Sequence, residues 1–386
     1  MLNTIDQKTK GKTMMLKKFQ KCLAISLLGV SGLLGNAHAY SDLVFFGDSL
    51  SDTGNVLSLT STFSPPAFPT FPGAEGRFSN GPVWTEYLAK GLGMTGKASP
   101  SNLFLAGPPL LPTPTVIPIG PPGGQNFAFG GARTGLGGAA GETTGLFGQL
   151  VAWNGSVFGS SLTRAADPHA LYVVFAGAND LRDARSAHPA DSPTDDAERA
   201  AAAATVAANI TTALGLLAEA GARHFLLANL PDLGKTPEAV ALGVAAASTD
   251  VTLEFNTALA ADAVGLDAWV LATTGIDLDI RLMDLYGLNE RVVSDALTNG
   301  GAKYGITNVT TPCIHPGAIS SEYFAPDATA TGCDVANYSD PLHPSAAAHR
   351  LIGQLALSTV PEPSSLALLF LGMIAGMRRC WRLRAA

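Results

Sequence analysis

Charge, cysteine and long apolar runs are all scarce in this chain of 386 residues, and each scarcity excludes something. Only 14% of the residues are charged and 47% are apolar, so the sequence is no disordered polyelectrolyte and can bury a sizeable core. Four cysteines in such a length exclude a small disulfide scaffold. Neither Cys-x-x-Cys nor His-Glu-x-x-His occurs, which removes the common metal-site spacings. No internal repeat of fixed period is visible, and one main domain is expected for the body of the chain.

The formal charge of -7 conceals an asymmetry. Residues 1–39 carry six Lys and one Asp, residues 364–386 carry four Arg and no acid, and 14 basic against 30 acidic residues remain between Tyr40 and Pro363. A body this acidic repels a phosphate backbone, and no basic stripe with interleaved aromatics offsets it, so nucleic acid is not an expected partner.

Both ends read as addresses. Lys17, Lys18 and Lys21 precede an apolar run from Cys22 to Leu34 and then Ala37-His38-Ala39, the order of a secretory signal with cleavage expected after Ala39. Residues 1–39 are therefore set apart from the fold, with Met14 or Met15 as alternative starts. At the other end Val360-Pro361-Glu362-Pro363 leads into Leu366–Met377, twelve residues and short of a bilayer at ~1.5 Å per residue, followed by Arg378, Arg379, Arg382 and Arg384. Basic residues after the run place that end in the cytoplasm and the body outside the inner membrane. Pro-Glu-Pro, apolar helix and Arg cluster together resemble the PEP-CTERM sorting tail of Gram-negative bacteria. The resemblance implies processing of residues 360–386 by an exosortase-type enzyme, transient inner-membrane anchoring, and delivery to the cell surface or its extracellular matrix; a plain membrane anchor is the alternative. Cys313 and Cys333 are then the only cysteines of the body, and in an oxidising compartment they are expected to close a disulfide just before Asp340 and His343.

Within the body, residues 40–359, Leu43–Phe46, Leu171–Phe175 and His224–Ala228 read as short, almost wholly apolar strands of a parallel sheet, and Ala268–Leu271 as a shorter fourth. Ser192-Pro193 opens the clearest helix, with Val206, Ile210, Leu214 and Leu217 as its apolar stripe and Gly221 at its end. A helix is also expected over Ser345–Leu357. Strands alternating with helices predict a sheet covered on both faces, with the strand C-terminal ends, and any ligand, along one edge. Ser64–Gly73 and the eight-proline stretch Pro100–Gly124 read as ordered loops over that edge, or as spacers; within the second, Pro100–Pro122 is expected to shape a pocket.

Four blocks carry chemistry. Gly47-Asp48-Ser49-Leu50 comes directly after the first strand, where a Ser at a strand-to-helix turn presents its hydroxyl at the sheet edge. Asn126-Phe127-Ala128-Phe129-Gly130-Gly131 offers glycine N–H groups that can approach an oxyanion closely. Gly177-Ala178-Asn179-Asp180 comes after the second central strand and brings an amide donor to the same edge. Asp340-Pro341-Leu342-His343 supplies an imidazole and a carboxylate to orient it. In this order the blocks resemble the SGNH, or GDSL, esterase and lipase family, over about Asp42–Gly353. Ser51-Asp52-x-Gly54-Asn55 and Tyr304-Gly305-Ile306-Thr307-Asn308 add to the similarity.

The resemblance implies a flavodoxin-like three-layer α/β/α fold with a central parallel sheet, and ester hydrolysis without a cofactor or metal. Ser49 is the implied nucleophile, His343 the base and Asp340 its orienting carboxylate. Ser49 N–H, Gly131 N–H and Asn179 form the implied oxyanion hole, with Gly130 open as the alternative to Gly131. Competing motifs fail: Gly91-x-x-x-x-Gly96-Lys97 is followed by Ala98 rather than Ser or Thr, Gly135-x-Gly137 has no strand close before it, and Gly-x-Ser-x-Gly is missing altogether. The expected substrate is an ester, either a lipid or an acylated glycan. An O-acetylesterase acting on surface polysaccharide and a non-catalytic matrix or adhesion protein are the alternatives.

Overall fold

A computed structural model describes residues 40–360, apart from 72–73, 109, 122, 140 and 158–160. The expected leader and sorting tail lie outside the described residues, as do the last two residues of the Ser64–Gly73 stretch. Tyr40–Val360 make one contact-dense unit.

Its centre is a parallel sheet in the order β1-β4-β5-β6, built from β1 (Leu43–Gly47), β4 (Leu171–Phe175), β5 (His224–Ala228) and β6 (Asp279–Met283). β1 and β4 are buried at every position, as strands covered on both faces must be, which explains their unbroken apolar sequences. On the free side of β1 runs Gln125–Phe129, with Phe45 N–H donating to Gln125 O at 2.9 Å and Phe127 N–H to Phe45 O at 2.8 Å. Counting that segment, the order is 2-1-3-4-5, a doubly wound arrangement of flavodoxin type.

Successive residues of a strand face opposite ways, and Phe45 and Phe46 show what each face meets. Phe45 lies edge-on to Trp84 of α2 (Trp84–Gly91), which packs beside α9 (Ala346–Thr359). Phe46 meets Trp153 of α3 (Leu146–Asn154), on the face where α5 (Pro193–Ala220) lies against α7 (Ala245–Thr274). Ser192 accepts from Asp195 N–H with Pro193 in the first turn, and Gly221 ends α5, as its sequence predicts. The remaining α-helices among the described residues are α1 (Asn55–Phe63), α4 (Ala178–Ala187), α6 (Pro237–Ala241) and α8 (Leu285–Asn299). A three-layer α/β/α domain results.

Two expectations need correction. Ala268–Leu271 is not a strand but part of α7, with Trp269 and Leu271 largely exposed; the fourth strand is β6, whose Asp279 and Arg281 break the apolar pattern. Four apolar residues cannot by themselves distinguish strand from helix, and an edge strand tolerates charge. The proline-rich stretch is not simply loop: it holds an antiparallel hairpin of β2 (Leu103–Ala106) and β3 (Thr115–Pro118). Phe104, Ala106 and Ile119 bury there against Phe129 and Ala132.

Cys313 and Cys333 are bonded, enclosing the short antiparallel pair β7 (Ile314–His315) and β8 (Thr329–Ala330). Cys313 N–H donates to Tyr338 O at 3.1 Å and Ile314 N–H to Ser339 O at 2.8 Å, so this loop is stitched to the residues just before Asp340. Closing a loop with a separation of 20 residues stabilises the fold by ~3 kcal/mol in the chain-entropy account. A Cys313→Ser/Cys333→Ser variant should lower the urea midpoint accordingly, and reductant should move the parent protein toward it. Identical midpoints for the two proteins would remove the bridge from the stability of the domain.

Candidate active site

Where β1 ends, the chain turns sharply. Ser51 N–H and Asp52 N–H both donate to Asp48 O at 3.0 Å, leaving Ser49 at the turn's apex on the C-terminal edge of the sheet. Asp52, fully buried, locks the entry to α1. Its Oδ1 accepts from Gly54 N–H and Asn55 N–H at 2.8 Å, and its Oδ2 from Gly130 N–H at 2.9 Å. Burial pushes this carboxyl up to about 6 despite those donors.

Ser49 Oγ lies 2.8 Å from His343 Nε2, and His343 Nδ1 lies 2.6 Å from Asp340 Oδ2. The second oxygen of Asp340 accepts from Leu342 N–H at 2.8 Å and His343 N–H at 2.5 Å, so one carboxylate shapes its own loop and holds the imidazole. Ser345 then caps α9 by accepting from Ala348 N–H, which fixes where the loop ends. Aromatic rings flank the imidazole: Phe78 at 5.3 Å and Phe324 at 5.9 Å between centroids. Phe324 comes from the disulfide-closed loop.

Asn179 stands in the first turn of α4, directly after β4, whose parallel pairing with β1 puts it on the same edge as Ser49. Its Nδ2 donates to Ala132 O at 2.9 Å. The neighbouring glycines have separate reasons. A Cβ on Gly130 would lie 2.3 Å from the ring of Phe78, and Gly131 adopts φ +78°, a left-handed conformation that favours glycine. Since Gly130 N–H is engaged by Asp52, Gly131 is the member of the pair whose N–H the geometry favours as an anion donor.

Ser49, Asn179 and His343 line one cavity of about 820 Å³, counting its open mouth. Its walls are mainly apolar, with Leu285, Leu288 and Val292 from α8, Leu351 and Ile352 from α9, and Phe175 and Leu233 from elsewhere. Among the described residues, none of the proline-rich stretch lines it, against the expectation that this stretch shapes the pocket; the hairpin's apolar side is spent on Phe129 and Ala132. Gly131 does not line it either.

One carboxyl in the wall went unread in the sequence. Asp48 is buried beside Ser49; its Oδ1 accepts from Leu50 N–H at 3.0 Å, while Oδ2 has no hydrogen-bond partner among the described residues. Burial pushes it from 3.8 to about 7, with Leu50 N–H and His343 opposing. A raised carboxyl stabilises the fold fully below the unfolded value, near pH 4, and loses that contribution as pH climbs through 7. The loss over about three pH units is roughly 4 kcal/mol. Asp48→Asn should therefore match the parent in melting temperature at pH 4 and exceed it at pH 8. Contributions from Asp52 and from buried His349, which burial pushes down to about 3, are common to both proteins and cancel. Equal melting temperatures at pH 8 would show that Asp48 ionises without cost.

The class comes first: a three-layer α/β domain with a serine, an imidazole and a carboxylate hydrogen-bonded in line at the C-terminal edge of its sheet. The chain belongs to the GDSL-like lipase/acylhydrolase family, whose model matches residues 43–356. A second match, to the PEP-CTERM protein-sorting motif, covers residues 359–384. Among curated relatives, the thermolabile hemolysin of Vibrio parahaemolyticus is 28% identical over 82% of this chain and 63% of its own length. A GDSL esterase/lipase of Arabidopsis thaliana is 25% identical over 82% of this chain and 88% of its own. Esterase EstA of Pseudomonas aeruginosa is 26% identical over 86% and 48%. The chain thus spans about half to two thirds of the length of these bacterial relatives.

Proposed function

We propose that this protein is an exported serine esterase that hydrolyses carboxylic esters through an acyl-enzyme on Ser49. The observation that carries the reading is the continuous hydrogen-bonded chain Ser49 Oγ, His343 Nε2, His343 Nδ1 and Asp340 Oδ2. Asp340 accepts from Nδ1–H, which leaves Nε2 as a lone pair facing the Ser49 hydroxyl. As Oγ attacks the ester carbonyl, its proton passes to Nε2, and the imidazolium is stabilised by the Asp340 carboxylate. The oxyanion forms against Ser49 N–H, Gly131 N–H and the Asn179 amide, which exchanges its bond to Ala132 O for the stronger, charge-assisted one. His343 returns the proton to the departing alkoxide. Water, deprotonated by the same imidazole, then releases the carboxylic acid and restores Ser49.

The apolar walls contributed by α8 and α9 favour an acyl chain longer than acetyl, as in a lipid ester. The sorting-motif match supports export, exosortase-type processing of the tail and display at the cell surface, with anchoring in the inner membrane as a transient stage.

The test is to treat the protein with a fluorophosphonate probe and map the labelled residue by peptide mass spectrometry. Labelling at Ser49 that disappears in His343→Ala supports an activated serine. A folded protein that takes no label would favour the non-catalytic matrix reading. Faster release of acetyl from matrix glycan than hydrolysis of octanoyl esters would instead favour an O-acetylesterase.

A further inference from the structure

The loop that carries His343 and the helix that carries Asn179 share a support that takes no part in the proposed chemistry. Glu238, in α6, donates its backbone N–H to Pro341 O at 2.9 Å, in the middle of the Asp340–His343 loop. Its side chain points to α4, where Oε1 and Oε2 accept from the fork of Arg182, with Nε at 3.0 Å, and Oε2 also accepts from Arg185 Nη2. Arg185 is almost wholly buried, and among the described residues Glu238 is its only carboxylate partner; its other arm donates to Ser248 Oγ at 2.9 Å. A guanidinium held in this way is fixed in direction as well as charge. Burial raises the Glu238 carboxyl, but the hydrogen bonds and charges of the two arginines outweigh it and hold it below its usual range.

The consequence reaches Asn179. Arg182 Nη1 donates to Asn179 Oδ1 at 3.4 Å. Guanidinium is a donor only, so it fixes which end of the amide is oxygen and turns Nδ2 the other way, toward Ala132 O. We infer that Glu238 is a positioning residue: through Arg182 it sets the orientation of the Asn179 amide, and through its own backbone it ties that amide to the loop bearing His343. The inference rests on the proposed role of Asn179 as an oxyanion donor. Glu238 itself lies outside the cavity lining, whereas Arg182 lines it.

A cycle of Glu238→Gln, Asn179→Ala and the double variant, assayed on a short p-nitrophenyl ester, tests it. Gln keeps the backbone hydrogen bond and the side-chain shape but lacks the charge that holds both arginines. Asn179→Ala alone should lower kcat by about 10²- to 10³-fold. Glu238→Gln should lower kcat about tenfold with KM unchanged, and the double variant should be no slower than Asn179→Ala, because the residue through which Glu238 acts is already gone. A purely structural role would instead multiply the two losses. Multiplied losses, or an unchanged kcat in Glu238→Gln while Asn179→Ala is slow, overturn the inference and leave the oxyanion role standing. An unimpaired Asn179→Ala overturns both. Should Glu238→Gln fail to fold, Arg182→Gln enters the same cycle, since it cuts the link to Asn179 while keeping the Arg185–Glu238 pair; the same non-additivity is expected, and additivity is equally fatal.

Discussion

Ser49→Ala should lower kcat/KM on a soluble ester by about 10⁵-fold or more while leaving the melting temperature within a degree or two of the parent. The size comes from the proposed chemistry: without Oγ no acyl-enzyme forms, and only the oxyanion donors and the binding cavity remain to assist attack by water. Little structural change is expected because Ser49 Oγ has His343 Nε2 as its side-chain partner and the turn is held by Asp48 and Asp52 instead. His343→Ala should be about as slow, and the double variant no slower than either, since serine and imidazole act as one unit. Steady-state kinetics on the three variants check this. A Ser49→Ala protein that retains even a hundredth of the parent's activity would take the nucleophile's role away from it.

Asp340→Asn should cost about 10⁴-fold in kcat, more than loss of a charge alone would suggest. Both oxygens of Asp340 are in use: Oδ1 by Leu342 N–H and His343 N–H, Oδ2 by His343 Nδ1. An asparagine has one acceptor, and the two backbone donors claim it. The amide NH₂ then faces Nδ1 and stabilises the tautomer that carries its proton on Nε2. That proton points at Ser49 Oγ, so the imidazole donates where the mechanism needs it to accept. Because the defect lies in the tautomer, KM should hardly move while kcat collapses. The loop should keep its shape, since its backbone acceptor survives. A variant with kcat within tenfold of the parent would mean that Asp340 shapes the loop and does no more.

Ser49 and His343 stand 294 positions apart, yet the block around each could be picked out from its own few neighbours. Unbroken apolar strands at β1 and β4, each succeeded at once by a small polar block, declared where Ser49 and Asn179 would sit, because parallel neighbouring strands end on one edge. β6 was not legible, since an edge strand needs only one protected side and its Asp279 and Arg281 hide it. The hairpin of β2 and β3 was obscured by prolines, which an isolated two-stranded ribbon tolerates at its borders.

The sequence by itself determined the element alternation, the family, and the blocks proposed to carry its chemistry, because these depend on local pattern: strand, turn and cap within about ten residues. Only the tertiary structure showed that Asp52, nearly eighty residues away, claims the N–H of Gly130, which is the ground for proposing Gly131 as the donor. It alone showed that α8 and α9 contribute apolar wall to the cavity and that, among the described residues, the proline-rich stretch contributes none. It alone brought Glu238 between Arg182, Arg185 and Pro341, and left one oxygen of Asp48 without a partner among the described residues. Contacts of this kind join residues with no pattern between them, and a chain can specify them only by folding.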